Sequence, residues 1–313
     1  MNRFVLFLFG ISIYFLPNNP ICAQTAASIA ERLGFPADAK LLIIHADDLG
    51  MAHSVNSATF DALNNGPVNS ASIMAPTPWL TEVAEMAKAN PAYDLGVHLT
   101  LTSEWLYLKW GSVASRDAVS SLLDENGYFY DNCESLGAHA KPAELELELR
   151  AQIERVKTLG INPTHFDTHM GCLLRTNTAL LSTYLKLGRE YKTPLRLGRN
   201  LVESLPDSLR SLIAENDILI DHVHSATPED FKQGMAAFYE NILLHLKPGV
   251  NEIIVHLATK DPEMRGVAYN HPDWGANWRQ ADLDFFKSNR CKELLRQQNI
   301  QLITFREIGK LLK

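Results

Sequence analysis

The sequence is short of every feature that would mark a specialised architecture. It holds four cysteines in 313 residues, too few to build a disulfide scaffold. Lys and Arg number 29 against 36 Asp and Glu, for a net charge of −7. With no basic run, the chain is a poor partner for nucleic acid or an anionic membrane. Its longest apolar stretch, Phe4 to Leu16, has 13 residues, short of the roughly 20 that a membrane-spanning helix needs. There is no internal repeat, low-complexity tract or Pro/Ser-rich linker. Three catalytic signatures are also missing: the His-Glu-x-x-His helix, the glycine-rich phosphate loop and the Gly-x-Ser-x-Gly elbow. What remains is 46% hydrophobic and 21% charged, an ordinary globular balance with enough chain for a sizeable core.

The first residues read as an address. Arg3, the apolar stretch Phe4–Leu16, the helix-breaking Pro17–Pro20 and small Ala23 before Gln24 form the three-part pattern of a secretory leader over residues 1–23. Cys22 offers a second reading as a lipid-modified cysteine, although Asn19-Pro20-Ile21 makes a poor lipobox. Cleavage leaves Cys133, Cys172 and Cys291. At most one disulfide can then form, and the fold is expected to need none. The expected workplace is exported: periplasmic, cell-surface or secreted.

From Lys40 the chain alternates short apolar runs with helical patterns. Leu41–Ile44, Val68–Met74, Leu95–Leu101, Thr164–Thr168, Leu195–Leu197, Ile218–Ile220, Glu252–His256 and Gln301–Thr304 read as strands. Ser54–Asn65, Glu82–Ala89, Ala143–Leu159, Thr178–Tyr191, Phe231–Leu246, Asn289–Gln298 and Arg306–Leu312 read as helices. Gly160 stands where a C-terminal cap belongs. Such alternation predicts α/β architecture, a (β/α) barrel or an open doubly wound sheet, and the length favours the barrel. Residues 40–313 are expected to form one domain. The segment Thr102–Pro142 is long and irregular, and it carries Trp105, Tyr107, Trp110, Tyr128, Phe129 and Tyr130. It reads as a satellite core under a loop, or as an aromatic platform for sugar rings.

The chemistry gathers at strand ends. Asp47-Asp48 follows an apolar strand and precedes a helix, the junction that lies on the ligand edge of such folds. A single acid there is often only a helix cap, but two adjacent carboxylates repel unless a cation sits beside them. A cation would also divide their roles, one acid binding it and the other remaining a free base. His98 lies near the end of an apolar strand, where a lone imidazole is ordinarily a satisfied core group. His165, Asp167 and His169 alternate, so one strand face would carry all three, and each would need a partner there. Asp, His and His from three strand ends make an open three-ligand site with room for water. Nitrogen and oxygen donors admit zinc, magnesium, manganese or iron. Cys172 is available as a soft ligand but reads better as a small buried residue.

The motifs Asp47-Asp48-Leu49-Gly50, Gly96-Val97-His98-Leu99-Thr100-Leu101-Thr102 and Pro163-Thr164-His165-Phe166-Asp167-Thr168-His169, in that order, resemble the YdjC-like (ChbG/HpnK) family of carbohydrate deacetylases. The resemblance spans about residues 40 to 313 and extends to Val255-His256 and Arg290–Leu295. It implies a TIM-like or distorted (β/α) barrel related to polysaccharide deacetylases. It implies a divalent metal, zinc or magnesium, and removal of N-acetyl groups from amino sugars or acetylated oligosaccharides. By position, Asp48, His98 and His169 would be the metal ligands, Asp47 the general base and His256 the general acid. The chain departs from the family pattern in having His45 before Ala46-Asp47-Asp48, Met170-Gly171 after His169, and Leu257-Ala258 after His256.

Two other functions stay open at this level: a different metallohydrolase on the same barrel, such as an esterase, amidase or phosphoesterase, and a non-catalytic glycan-binding protein. Among the remaining candidates, Asp221-His222-Val223-His224 follows another strand and reads as an exposed loop, or as a further substrate contact or second metal ligand. Arg196 and Arg199, after a short strand, read as solvated by default or as orienting an active-site carboxylate. His271–Trp278 reads equally as a sugar-binding lid or a packed loop.

Overall fold

The structure, a computed structural model, describes residues 27–312. The leader expected at residues 1–23, with Cys22, lies outside them. The strands are β1 (Lys40–Leu49), β2 (Ser70–Ile73), β3 (Leu95–Leu99), β4 (Phe166–Thr168), β5 (His222–Ser225), β6 (Gly249–Val255) and β7 (Gln301–Leu302). All pairings between them are parallel, in the order β4-β3-β2-β1-β6-β5, with β7 on β1. The two ends of that path are joined through residues 195–198, whose single parallel bridges Phe166↔Leu195 and Gly198↔Ile220 link β4 to the stretch leading into β5. The sheet thus curls into a distorted barrel with helices outside, as expected from the alternation.

β1 shows how the sequence sorts its two faces. Leu42, Ile44 and Ala46 pack outward into the large core shared with the helices. Leu41 and Ile43 point the other way, into a smaller cluster with Ile220, Val250, Ile303, Phe305 and Ile308 that closes the bottom of the barrel. The same alternation carries His45 and Asp47 onto the inner face above them. The interior is therefore apolar at its base and polar toward the C-terminal ends of the strands. β7 pairs with the first half of β1 and β2 with the second. Asn69 bridges the junction, accepting from the Ile44 amide and donating to the Ile303 carbonyl.

Several helices follow their sequence signals closely. Pro142–Thr158 starts with Pro at its first turn, buries Leu145, Leu149, Ile153 and Val156, and is followed by Gly160 at φ 88°. Other expectations need correction. The helix expected over 231–246 is two, Pro228–Gln233 and Met235–Leu244, broken at Gly234 with φ 110°. Residues 222–225, expected in a loop, form β5, while Ile218–Ile220 contributes only a bridge. A helix at Ala276–Lys287 was not evident from the pattern. A disulfide joins Cys133 to Cys172, contrary to the expectation of none, and this removes Cys172 as a metal ligand. It fastens the long excursion after β3 to the turn after β4.

Candidate metal centre

Asp47 and Asp48 are consecutive, and in a regular strand their side chains would leave by opposite faces. β1 is irregular here. Its register with β2 shifts between Ala46 and Leu49, and Asp48 is left-handed at φ 73°, a conformation that Asp tolerates better than most residues. Both carboxylates consequently line one cavity at the strand ends, and both are buried. Gly96 makes a related allowance on β3, since a Cβ there would stand 2.4 Å from the His165 ring. His165 packs beneath the site against Phe305, with ring centroids 4.1 Å apart.

Three groups converge at the cavity floor. His98 Nε2 and His169 Nδ1 each lie 3.4 Å from Asp48 Oδ1, and 3.3 Å from one another. A tetrahedral ion bound at about 2.0–2.1 Å holds its ligand atoms about 3.4 Å apart, so this triangle matches one face of such a site. Asp48 Oδ1 is buried and has no hydrogen-bond partner, which in a low-dielectric interior is a large penalty unless something positive meets it. The other carboxylate oxygen, Oδ2, accepts from Arg279 Nη2 at 2.6 Å. The far nitrogen of each imidazole is also held by a carboxylate: His98 Nδ1 lies 2.9 Å from Asp167 Oδ1, and His169 Nε2 lies 2.9 Å from Glu104 Oε2. In a neutral ring such contacts would fix the tautomer so that the near nitrogens present lone pairs to an ion. Two other acid–imidazole groupings, His45–His165–Asp167 and Asp47–His98–Asp167, have donors already committed, His45 to Ser70 and Asp167, and Asp167 to Ser72.

The electrostatics agree with this geometry. Burial alone would lower the imidazole of His98, but Asp167 and Asp47 outweigh it and push it up to about 9. Burial is likewise outweighed at His169 by Glu104 and Asp48, which push it up to about 10. The floor therefore draws positive charge, which a divalent cation would supply. The residues present fit such an ion.

Asp47 is differently placed. Arg196 grips it with Nη1 at 2.8 Å from Oδ1 and Nη2 at 3.3 Å from Oδ2. Burial resists ionisation, yet Arg196 and then His98 hold Asp47 well below the usual carboxylate range. Its Oδ2 is 3.8 Å from His98 Nε2 and 4.0 Å from His256 Nε2. His256 follows β6, and its amide donates to Asp282 Oδ2 at 3.0 Å. Burial, against the pull of Asp48, pushes its imidazole down to about 4. All five candidates from the sequence, Asp47, Asp48, His98, His169 and His256, therefore meet in one cavity of about 670 Å³.

Of three further participants, sequence reasoning missed two. Arg196, read as solvated by default, is instead buried, grips Asp47 and lies 3.0 Å from Asp167, in line with the other reading of it as orienting a carboxylate. Arg199 is exposed as expected, paired with Asp221. Glu104 and Arg279 carried no motif. The aromatic segment divides between the two readings: Trp110 and Phe129 are core, Tyr107 and Tyr128 are exposed, and buried Trp105 lines the cavity. His271 and Trp274 line it too, whereas Trp278 is packed away.

The YdjC-like protein family model matches residues 41–297. The chain belongs to the YdjC-like family. It is 34% identical over 266 residues to a carbohydrate deacetylase of Thermus thermophilus, covering 81% of this chain and 88% of that one. It is 31% identical over 271 residues to a carbohydrate deacetylase of Brevibacillus brevis, covering 86% and 99%. Among solved structures it resembles an Enterococcus faecalis protein named for a proposed role in cellobiose-phosphate cleavage. That match has a TM-score of 0.69 at 25% identity and covers 86% of this chain and 99% of the other.

Proposed function

We propose that this YdjC-like protein is a metal-dependent deacetylase that removes N-acetyl groups from amino sugars or acetylated oligosaccharides. The observation that carries the reading is the triangle of Asp48 Oδ1, His98 Nε2 and His169 Nδ1 beside an arginine-held carboxylate, Asp47. The relatives named carbohydrate deacetylases support the substrate class. Asp48, His98 and His169 would hold the cation, which when bound polarises an acyl carbonyl and acidifies a water molecule.

The remaining chemistry belongs to the chain. Asp47 stays ionised because Arg196 faces it, so it is ready to accept a proton from the attacking water. His256 is neutral at rest, with burial as the cause. It therefore acts as acid only after gaining a proton during turnover, and Asp47, 4.0 Å away, is the nearby source. From His256 the proton passes to the departing amine. The two groups divide base and acid work because their environments hold their proton affinities apart.

We further infer that the chain works outside the reducing cytoplasm. The leader pattern of residues 1–23 and the Cys133–Cys172 disulfide support this reading.

The test is acetate release from a panel of acetylated glycans with zinc, magnesium or manganese added. Release is expected with one of these ions, and Asp48→Asn is expected to lose both the metal and the activity. Metal binding without release from any acetylated glycan, but with cleavage of aryl esters or phosphates, would transfer the chain to another metallohydrolase class.

A further inference from the structure

Seven buried side-chain nitrogen or oxygen atoms among the described residues have no hydrogen-bond partner, and three of them belong to cavity-lining residues: Asp48 Oδ1, Trp105 Nε1 and Arg279 Nη1. The first is an acceptor, and a cation in the triangle accounts for it. The other two are donors, which a cation cannot satisfy. An acceptor oxygen would meet them.

Neither side chain is free to turn elsewhere. Arg279 Nε donates to the Trp274 carbonyl at 2.7 Å, and Nη2 to Asp48 Oδ2 at 2.6 Å. The guanidinium cannot swing to seek a partner for Nη1 without releasing Asp48. Its central carbon lies 5.7 Å from the centre of the Trp105 ring, and that ring packs on His271 with centroids 4.7 Å apart. The same loop does satisfy an indole where it needs to: Trp110 Nε1 donates to the Thr102 carbonyl at 2.8 Å. Trp105 is the one left over.

The surrounding charge indicates which acceptor fits. Arg279 is already neutralised by Asp48, and Glu104 and Asp131 line the same cavity. Arg196, which also lines the cavity, is held by Asp47 and Asp167, and the carboxylates of Glu104 and Asp131 disfavour an anion, so a neutral oxygen is favoured. A sugar ring offers hydroxyls at neighbouring positions. Building on the deacetylase reading, we propose that Trp105 Nε1 and Arg279 Nη1 form a specificity subsite that hydrogen-bonds a hydroxyl edge of the amino sugar whose acetamide reaches Asp48, His98 and His169. A site built to donate to a hydroxyl discriminates against the analogue that lacks it, because the donors are then left unmet.

The experiment measures calorimetric binding of a chitooligosaccharide and its monodeoxy analogues to the metal-loaded wild type and to Trp105→Phe, which removes the N–H and keeps a ring. Against the wild type, at least one analogue is expected to bind about 5- to 20-fold more weakly than the parent; against Trp105→Phe that gap shrinks to about twofold or less. A loss spread evenly over parent and analogues means that Trp105 is merely structural, and it overturns the subsite. Should Trp105→Phe fail to fold, the wild-type series decides alone, and a flat series overturns the subsite. Failure to bind any acetylated glycan overturns it too. The predicted pattern without acetate release leaves the subsite standing and removes the deacetylase reading, so the two failures are distinguishable.

Discussion

The floor of the cavity is made from strand ends, whereas the side bearing Trp105 and Trp274 is made from loops. On the floor, Asp47, His98 and Arg196 are set by sheet register and by buried ion pairs with one another and with Asp167. On the loop side, position depends on scattered side-chain bonds to backbone: Lys109 to the Ser103 carbonyl, Trp110 to Thr102, Arg279 to Trp274. The orphaned atom on the floor is an acceptor, and those on the facing side are donors, Trp105 on the loop and Arg279 on the helix Ala276–Lys287. On the proposed reading, reaction chemistry sits where the backbone is most constrained, and recognition where it can vary without disturbing the sheet.

The strongest way to break this comparison is to remove the base and leave the ligands. Asp47→Asn keeps the side-chain volume and one of the two Arg196 contacts but abolishes proton acceptance. It should lower kcat by about 10²–10⁴-fold with metal content unchanged, as measured by elemental analysis beside acetate release. If more than about a tenth of the activity survived, against the loss expected of a missing general base, the chemistry would not reside in Asp47.

The next test concerns what ties the two regions together. Cys133 begins the helix Cys133–His139 on the excursion after β3, and Cys172 follows the turn that carries His169. With a sequence separation of 39, the disulfide should contribute about 3–4 kcal/mol, mainly by restricting the unfolded chain. A Cys133→Ser/Cys172→Ser double variant should lose that amount in denaturant melts. A loss under about 1 kcal/mol, far below the usual range for such a crosslink, would mean that packing alone fastens the loop side to the floor.

The same division explains what could be read from the sequence. The floor was legible because the period of a strand and the position of a strand end are local properties: Asp47, Asp48, His98 and His169 could each be placed from neighbouring residues. Arg196 was legible only as an alternative, because an arginine is ordinarily solvated and only the closure of the barrel through residues 195–198 reveals that it is enclosed by Asp47, Asp167 and Glu252. Glu104 and Arg279 were invisible for a related reason. They act across 65 and 231 positions of sequence, on His169 and Asp48 respectively. The disulfide was underestimated because count and parity of cysteines say nothing about which loops approach one another. The break at Gly234 was missed because Phe231–Leu246 is apolar enough to read as one helix.

A third prediction probes the layer just below the floor. Glu252 on β6 has neither oxygen hydrogen-bonded and lies 3.8 Å from Arg196 Nη1. Burial pushes its acid up to about 7 from an ordinary 4.5, over the opposing pull of Arg196 and His45. The folded chain therefore keeps this proton where the unfolded chain has lost it. The resulting stability is fully present below about pH 4.5 and is lost as the pH rises through about 7. Glu252→Gln removes the titration. Relative to the wild type, it should gain roughly 3 kcal/mol between pH 4 and pH 8 in urea melts. A difference independent of pH would show that Arg196 neutralises Glu252 fully.

The smallest expected effect tests a residue that crosses the boundary. Glu104 stands on the loop side and lines the cavity, yet its carboxylate lies 2.9 Å from His169 Nε2. If loops serve recognition alone, neutralising Glu104 should leave the metal untouched. If Glu104 instead orients His169 and strengthens its lone pair, as a carboxylate behind a metal-binding imidazole does, Glu104→Gln should weaken metal binding by about 10- to 100-fold. Chelator competition measures that directly. Turnover at saturating metal should change far less, because Asp47 and His256 are not contacted by Glu104. An unchanged metal affinity together with a raised KM would return Glu104 to the recognition side and sharpen the division between floor and loops. Weakened metal binding would show that the excursion after β3 is part of the metal site itself, and that the Cys133–Cys172 link protects catalysis as well as the fold.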